Sequence, residues 1–343
     1  MTTIYSRAPL RLSLSGGGTD IKSFSDQYGG AVINFTINKY VYCSIKACNQ
    51  KKIVFKSFDL QLEDRFETNT IALKVEKPLL ILHYYTYLKM MTNYNNSEFL
   101  PIEIETMCEN PPGSGLGTSS ALVVSMVKAF DNFLNLNLNN LAIAKLAYEI
   151  ERVDCDLSGG QQDQYAATYG GFNFFEFKKN GDVSIHPLVV AESFVKKIEH
   201  FGFLYFSGVS RESTKIIEDQ KNSIKRNRTA LNAMLNLKEL TIKQNKIIQS
   251  FNFKKLMSSL NELWLEKKKT SKYVSNDHIE SVMNHAKQLG AMSGKVSGAG
   301  GGGFFLFFVE DHNRLALKSS LVDLGGFIEN FSFTYSGVES WRD

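Results

Sequence analysis

From Pro111 to Phe130 the chain reads PPGSGLGTSSALVVSMVKAF, and this stretch limits what can be built around it. Three glycines (Gly113, Gly115, Gly117) lead into Thr118, Ser119 and Ser120, then into an apolar, helix-compatible run from Ala121. Glycine allows positive φ and lets a ligand approach the main chain without a Cβ in the way. Hydroxyl residues are good N-caps, so the pattern predicts that a helix starts here. A glycine loop running into a helix N-terminus aims free N–H groups and the positive end of the macrodipole at one spot. Such a spot suits an anion, a phosphate above all. Taken alone, the glycines fit a surface turn before a core helix rather better. The complete string, with the glycine-rich segments SGGGTD and KVSGAGGGGF elsewhere, shifts the balance toward a site.

The 343 residues suffice for two domains or one large one. The formal net charge of +4 is too small to imply nucleic-acid or membrane binding. Lys267, Lys268 and Lys269 read as a solvated helix face. Cys43, Cys48, Cys108 and Cys155 have neither CxxC spacing nor the density of a disulfide scaffold, as expected in a reducing cytoplasm. The first residues, MTTIYSRAPLRLSLSGG, lack the apolar core of a signal peptide, and the most apolar run, Phe304 to Val309, has the length of a strand.

Period-two alternation predicts strands over Ala31–Ile37, Val41–Ala47 and Lys52–Phe58. Leu79 to Met91 reads as a helix with His83 packed in the core, and Ile102 to Met107 as a strand feeding the glycine loop. A helix over Leu141–Val153 follows, then DLSGGQQDQYAATYGGFNFFEF, a loop, a short helix, a Gly-Gly turn and an aromatic strand. Phe201–Phe206 reads as a strand, Arg211 to about Lys269 as long charged helices, and Ile279–Leu289 as a helix. A soft boundary near residue 190 divides the chain into domains 1–190 and 191–343, with a cleft expected between them.

Familiar nucleotide motifs fail. Gly290 to Lys295 lacks the spacing of a P-loop, and Gly298, Gly300 and Gly303 precede a strand where a dinucleotide fingerprint must follow one. Five glycines in the six residues 298–303 carry an entropic cost that a close-packed loop or a functional wall must justify. Asp20, after its glycine turn, reads as a helix N-cap. Glu151 and Asp163 are spaced so that both can face the mouth of the phosphate spot, the lesser alternative for Glu151 being a partner for Arg152 or a neighbouring lysine on a wet helix.

The string PPGSGLGTSSA resembles the central motif of the GHMP kinases, RAPLRLSLSGGGTD is similar to their first motif, and KVSGAGGGGF to their third. The resemblance covers nearly the whole chain. It implies an α/β (α+β) fold of two domains with ATP held in the cleft between them. Residues Pro112, Gly113, Ser114, Gly115, Leu116, Gly117, Thr118, Ser119 and Ser120 would then bind ATP phosphates, with Ser120 and Glu151 holding Mg²⁺. Asp163, in GGQQDQ, matches the catalytic aspartate and Arg11 the basic position of the first motif. An Arg11–Asp163 ion pair would keep the carboxylate ionised. Gly17, Gly18, Thr19 and Asp20 fall on the sugar-contacting turn, and Lys295, Gly298, Ala299, Gly300 and Gly301 on the active-site wall. Two departures stand out: Leu10 replaces a usual glycine, and Gly17-Gly18 replaces the Glu-His pair of galactokinases, which speaks against galactose.

Within the family, RLSLSGGGTD, GGQQDQYAATYGG and SGVSRESTKII look most like the kinases of D-glycero-D-manno-heptose 7-phosphate, which phosphorylate the anomeric O1. A substrate that already carries a phosphate needs a second anion site, for which Arg211 and Lys215 are the first choice and Arg7 the weaker one. Arg211 equally suits a cap or salt bridge of its own helix. A kinase for an unphosphorylated sugar and a non-catalytic sugar-binding regulator of the same fold are the alternative readings.

Overall fold

Along strand β1 (Thr3–Ser15) Leu10, Leu12 and Leu14 alternate with Arg11, Ser13 and Ser15, and all six are buried. A strand whose two faces are both covered, one with apolar and one with polar side chains, lies between a core and a site. The computed structural model describes residues 2–48, 51–71, 78–208 and 213–343.

The further strands are β2 (Gly30–Ala47), β3 (Lys52–Ser57), β4 (Leu62–Glu67), β5 (Ile102–Cys108), β6 (Phe172–Phe177), β7 (Val183–Pro187), β8 (Gly202–Phe206), β9 (Ala291–Val296), β10 (Phe304–Val309), β11 (Phe327–Glu329) and β12 (Glu339–Arg342). The helices are α1 (Lys22–Tyr28), α2 (Ile81–Tyr94), α3 (Thr118–Phe133), α4 (Asn140–Glu149), α5 (Gln162–Tyr169), α6 (Glu192–Phe201), α7 (Ser213–Arg226), α8 (Arg228–Gln249), α9 (Phe253–Lys268), α10 (Asp277–Gln288) and α11 (Asp311–Asp323). One sheet runs β12-β1-β2-β5-β3-β4, with β6 also on β2 and β7 on β6; among the described residues its one parallel pair is β3 with β5. The other sheet is antiparallel in the order β11-β8-β10-β9. The chain's last strand thus returns to the sheet that its first residues begin.

One apolar cluster joins the sheets, running from Leu10 and Phe35 through Val123 and Phe130 to Leu204, Phe206, Leu306 and Phe308. No helix among the described residues is long and apolar enough to cross a membrane. His83 is a packed core residue, bonded to Thr106 Oγ1 at 2.8 Å and pushed down to about 3 by burial.

Several local expectations change. The two runs Ala31–Ile37 and Val41–Ala47 are one strand, β2, which pairs with β6 over its first part and β5 over its second. Its exposed Asn38 lies where one partner has ended and the next has not begun. The helix expected to Val153 stays α-helical only to Glu149, and Ile150–Asp154 forms a π-turn closed by Cys155 N–H donating to the Ile150 carbonyl. Strand β9 is an element that the sequence pattern does not mark, because Gly294 interrupts it. Gly117, at φ 80°, caps α3, so Thr118, Ser119 and Ser120 stand in its first turn and their hydroxyls are turned to other work.

Candidate active site

The N-terminus of α3 opens on a cleft lined from both parts of the chain. Its lining comes from the glycine loop and first turn of α3 (Gly113, Gly115, Gly117, Thr118, Ser119), the first glycine turn (Gly17, Gly18, Asp20), the segment Arg152, Gln162 and Asp163, and, from the later part of the chain, Ser213, Gln220, Lys267, Gly298 and Ala299.

Arg11 is the hinge of this arrangement. Its Nε donates to Asp163 Oδ1 at 2.7 Å and its Nη1 to the Gly115 carbonyl at 2.6 Å, while its backbone N–H donates to the Leu116 carbonyl at 3.0 Å. The guanidinium, 5% exposed, thus sets the aspartate against the glycine loop, and Asp163 keeps 19% of its side chain open to the cleft. Ser297 Oγ donates to the same Gly115 carbonyl at 2.8 Å, and Phe304 N–H to the Ser114 carbonyl at 3.0 Å. The third glycine segment therefore holds the loop from behind.

Beneath the cleft Glu151 is fully buried. Its Oε1 accepts from Ser119 Oγ at 2.8 Å and pairs with Arg152 Nη1 at 3.1 Å; its Oε2 accepts from Ser120 Oγ and Gln164 Nε2, each at 2.6 Å. The π-turn puts Glu151 and its neighbour Arg152 on the same serine, since Arg152 Nη2 donates to Ser120 Oγ at 3.3 Å. Helical π-bulges recur at functional sites for this kind of reason. The glycines of GGQQDQ are explained by close approach: a Cβ on Gly159 would lie 2.1 Å from the Arg152 guanidinium carbon, and one on Gly160 1.9 Å from Asp20 Oδ2.

Asp20 does not cap α1, whose N-cap is Ile21. Its carboxylate accepts from Gly18 N–H at 2.8 Å, Gln162 N–H at 3.0 Å and Gln162 Nε2 at 3.2 Å, tying the first glycine turn to the Asp163 segment.

Other expected residues lie elsewhere. Thr19 is buried, bonded through Oγ1 to the Gly16 and Ala31 carbonyls, and Ser114 and Leu116 are buried behind the loop. Gly300 and Gly301 pack on Val274 rather than on the cleft, Gly301 N–H donating to its carbonyl at 2.7 Å. Lys295 reaches no phosphate spot: half-buried on β9, it donates from Nζ to the Ser13 carbonyl at 2.5 Å. Burial, helped by Lys267 and Arg11, lowers its pKa to about 7. Lys215 stacks on the Tyr273 ring at 4.7 Å, because on α7 the cleft face is Ser213, Ile217 and Gln220, at helical spacing from one another but not from 215. Arg7 pairs with Glu339 at 2.9 Å. Arg211 lies outside the described residues. Conversely, Lys267 is not solvated: it lines the cleft and donates to the Gly17 carbonyl at 2.6 Å. Arg152, Gln162 and Gln164 were missed as well, though each stands beside Glu151 or Asp163 in sequence.

Two family models match, the GHMP kinases N terminal domain over residues 81–171 and the GHMP kinases C terminal over 247–320. A D-glycero-alpha-D-manno-heptose 7-phosphate kinase of Campylobacter jejuni is 41% identical over 342 residues, the whole of both chains. This chain belongs to the GHMP kinases. Among solved structures, a D-glycero-D-manno-heptose 1-phosphate kinase from Bacteroides thetaiotaomicron superposes with a TM-score of 0.83 at 35% identity, covering 98% of each chain. The Methanococcus jannaschii mevalonate kinase, at 19% identity and a TM-score of 0.76 over 96% of this chain and 98% of its own, shares the fold. The GHMP kinase fold, α/β with mixed sheets and two domains, is therefore established for this chain, and with it phosphoryl transfer to an alcohol acceptor.

Proposed function

We propose that this GHMP kinase transfers the γ-phosphoryl group of ATP to the anomeric O1 of D-glycero-D-manno-heptose 7-phosphate, giving the 1,7-bisphosphate used in the cytoplasm to make nucleotide-activated heptose for surface polysaccharide. The observation that carries this reading is the 41% identity, over the whole chain, to the Campylobacter jejuni heptose 7-phosphate kinase. The cleft is compatible with it. Phosphates lie against the loop N–H groups and the α3 N-terminus, where the macrodipole favours negative charge. Asp163, held by Arg11, accepts the hydrogen bond of the attacking hydroxyl. The O1–P bond forms as the bond from the γ-phosphorus to the bridging oxygen breaks, and ADP leaves. Most of the acceleration comes from positioning and charge stabilisation.

Magnesium at Ser120 and Glu151 follows from the family resemblance, and to take it Glu151 would exchange bonds it makes to Ser119, Ser120, Gln164 and Arg152. Ser120 Oγ and Glu151 Oε2 lie 2.6 Å apart, and the described residues hold no group of three or more His, Cys, Asp and Glu side chains that could cage a metal. Magnesium asks for little more than one carboxylate and one hydroxyl, keeping waters and phosphate oxygens for the rest. Bound there, it would neutralise charge on the transferring phosphate. For the second phosphate of the substrate, Arg211 stays the residue proposed from sequence; Lys267 is the cation that the described part of α9 offers to the sugar end of the cleft.

The reading is tested by ADP release with ATP and magnesium against heptose 7-phosphate, sedoheptulose 7-phosphate, mannose 6-phosphate, mannose, galactose, fucose and mevalonate. Selective turnover of heptose 7-phosphate is expected. Turnover of an unphosphorylated sugar alone would discard the substrate and its second anion site. Silence across the panel with ATP still bound would favour a non-catalytic regulator.

A further inference from the structure

Gly16 and Gly18 are glycines for reasons internal to the fold. Both have positive φ, 78° and 104°, and a Cβ on Gly16 would lie 1.8 Å from the Ala31 carbonyl oxygen. Gly17 between them has no positive φ. A Cβ there would meet Gln162 Nε2 at 3.3 Å, a tight contact, and Ser13 Oγ at 3.5 Å and Gln162 Oε1 at 4.0 Å, both ordinary ones. Backbone conformation does not require glycine at this position, and its bare side faces two polar side chains.

Both are more than nine-tenths buried, Ser13 at 4% and Gln162 at 7% exposure, and both carry an atom that bonds to nothing in the protein: Ser13 Oγ and Gln162 Oε1. The amide orientation follows from its neighbour. A carboxylate only accepts, so the nitrogen of Gln162 is the atom that faces Asp20 Oδ1, at 3.2 Å, and the oxygen is turned away from it. The Gln162 backbone N–H donates to the other Asp20 oxygen at 3.0 Å, which fixes the residue at both ends. Buried acceptors and hydroxyls are almost always partnered in folded proteins, and an orphaned pair beside a cleft calls for a partner from outside. Gly17 and Gln162 both line the cleft, and Gln162 precedes Asp163 in the chain.

We propose that Ser13, Gly17 and Gln162 form a subsite that reads one hydroxyl of the sugar other than the one phosphorylated. That hydroxyl lies against Gly17, donates to Gln162 Oε1 and accepts from Ser13 Oγ. Asp20 is the positioning residue that orients the amide. A site built to bond a substrate hydroxyl discriminates strongly against an analogue that lacks it, because its own buried groups are then left unpaired. The subsite rests on the reading of this protein as a sugar kinase.

The test uses the full chain with ATP, magnesium, the sugar phosphate and its series of monodeoxy analogues. The wild type is expected to lose at least about tenfold in kcat/KM on one deoxy analogue through this subsite. Gly17→Ala, whose added Cβ must displace the tied Gln162 amide by a few tenths of an ångström, is expected to stay folded by thermal melting and keep its KM for ATP, with KM for the sugar raised about tenfold or more. In Gln162→Leu the penalty for that one analogue disappears while the penalties for the others remain; Ser13→Ala, which removes only a hydroxyl that nothing in the protein bonds, makes the same comparison if the leucine variant folds poorly. Wild-type KM for the sugar in Gly17→Ala, or equal losses on every analogue in the other two variants, overturns the subsite. Turnover by the wild type reports separately on the parent reading. If only an unphosphorylated sugar reacts, the same variants judge the subsite on that sugar, and a wild type that turns over no sugar overturns both.

Discussion

Arg11 bonds Asp163 with one nitrogen and the Gly115 carbonyl with another, so one rigid planar group spans from the aspartate to the glycine loop. In this setting Asp163→Asn is expected to lower kcat by about 10²–10⁴. Nucleotide affinity, measured by titration without the sugar, should stay near wild type, and near-normal turnover would remove Asp163 from its role. Glu151 and Arg152 form a second charged pair, with side chains 0% and 10% exposed. Removing one partner of a buried pair leaves the other charge uncompensated, so Arg152→Met alone should cost about 3–5 kcal/mol in urea unfolding. The double variant Glu151→Gln/Arg152→Met should recover much of that loss, and additive losses would show that the two charges do not compensate one another. At this scale sequence reading went as far as family motifs carry a residue. It brought Arg11 to Asp163 and Ser120 to Glu151, but missed Lys267 because three consecutive lysines look alike until a helix turns one of them inward. It misjudged Lys295 and Lys215 because neither burial nor a ring beneath an ammonium group leaves a mark on the lysine itself.

The glycine loop and α3 act as one element, joined at Gly117. Its φ of 80° is where the chain enters the helix, and a Cβ there would lie 3.4 Å from both Arg11 Cγ and Asp163 Cγ. Gly117→Ala should therefore destabilise the protein by about 1–2 kcal/mol through backbone strain. It should also weaken ATP binding, because the N–H groups of the first turn would no longer converge. Thermal unfolding and nucleotide titration of the variant check the two effects, and an unchanged nucleotide affinity would separate the loop from the phosphate. Elements with a clean period were legible: β5, α2 and β10 lie where alternation or apolar length put them. The π-turn was not, because Ile150–Asp154 keeps a helical pattern and differs only in which carbonyl each N–H meets. Strands β4 and β7, with no buried position, carry almost no hydrophobic signal for a periodicity argument to find.

Across the whole molecule, Lys295 links the two sheets, its Nζ on β9 donating to the carbonyls of Ser13 and Leu14 on β1. Burial lowers its pKa to about 7, well under the value of an exposed lysine. Above that pH the unfolded chain binds the proton that the folded one has released, so stability should rise as pH climbs from about 7 toward the unfolded lysine pKa near 10.4. Urea unfolding between pH 6 and 9 should show this rise in the wild type and a flatter profile in Lys295→Met; parallel profiles would assign the slope to other groups. The sheet topology was the least legible feature, since pairing between distant strands is set by shared burial rather than by anything local. The pairing of β12 with β1, Ile4 opposite Arg342 and Arg7 opposite Glu339, also fixes an order of events in time. On the ribosome, β1 can gather β2 early, but its other edge must wait until residues 339–342 have emerged. That flank of the sheet is therefore completed more than 300 residues after β1 has been made, and until then an open strand edge is exposed to whatever chaperones or neighbouring chains are nearby.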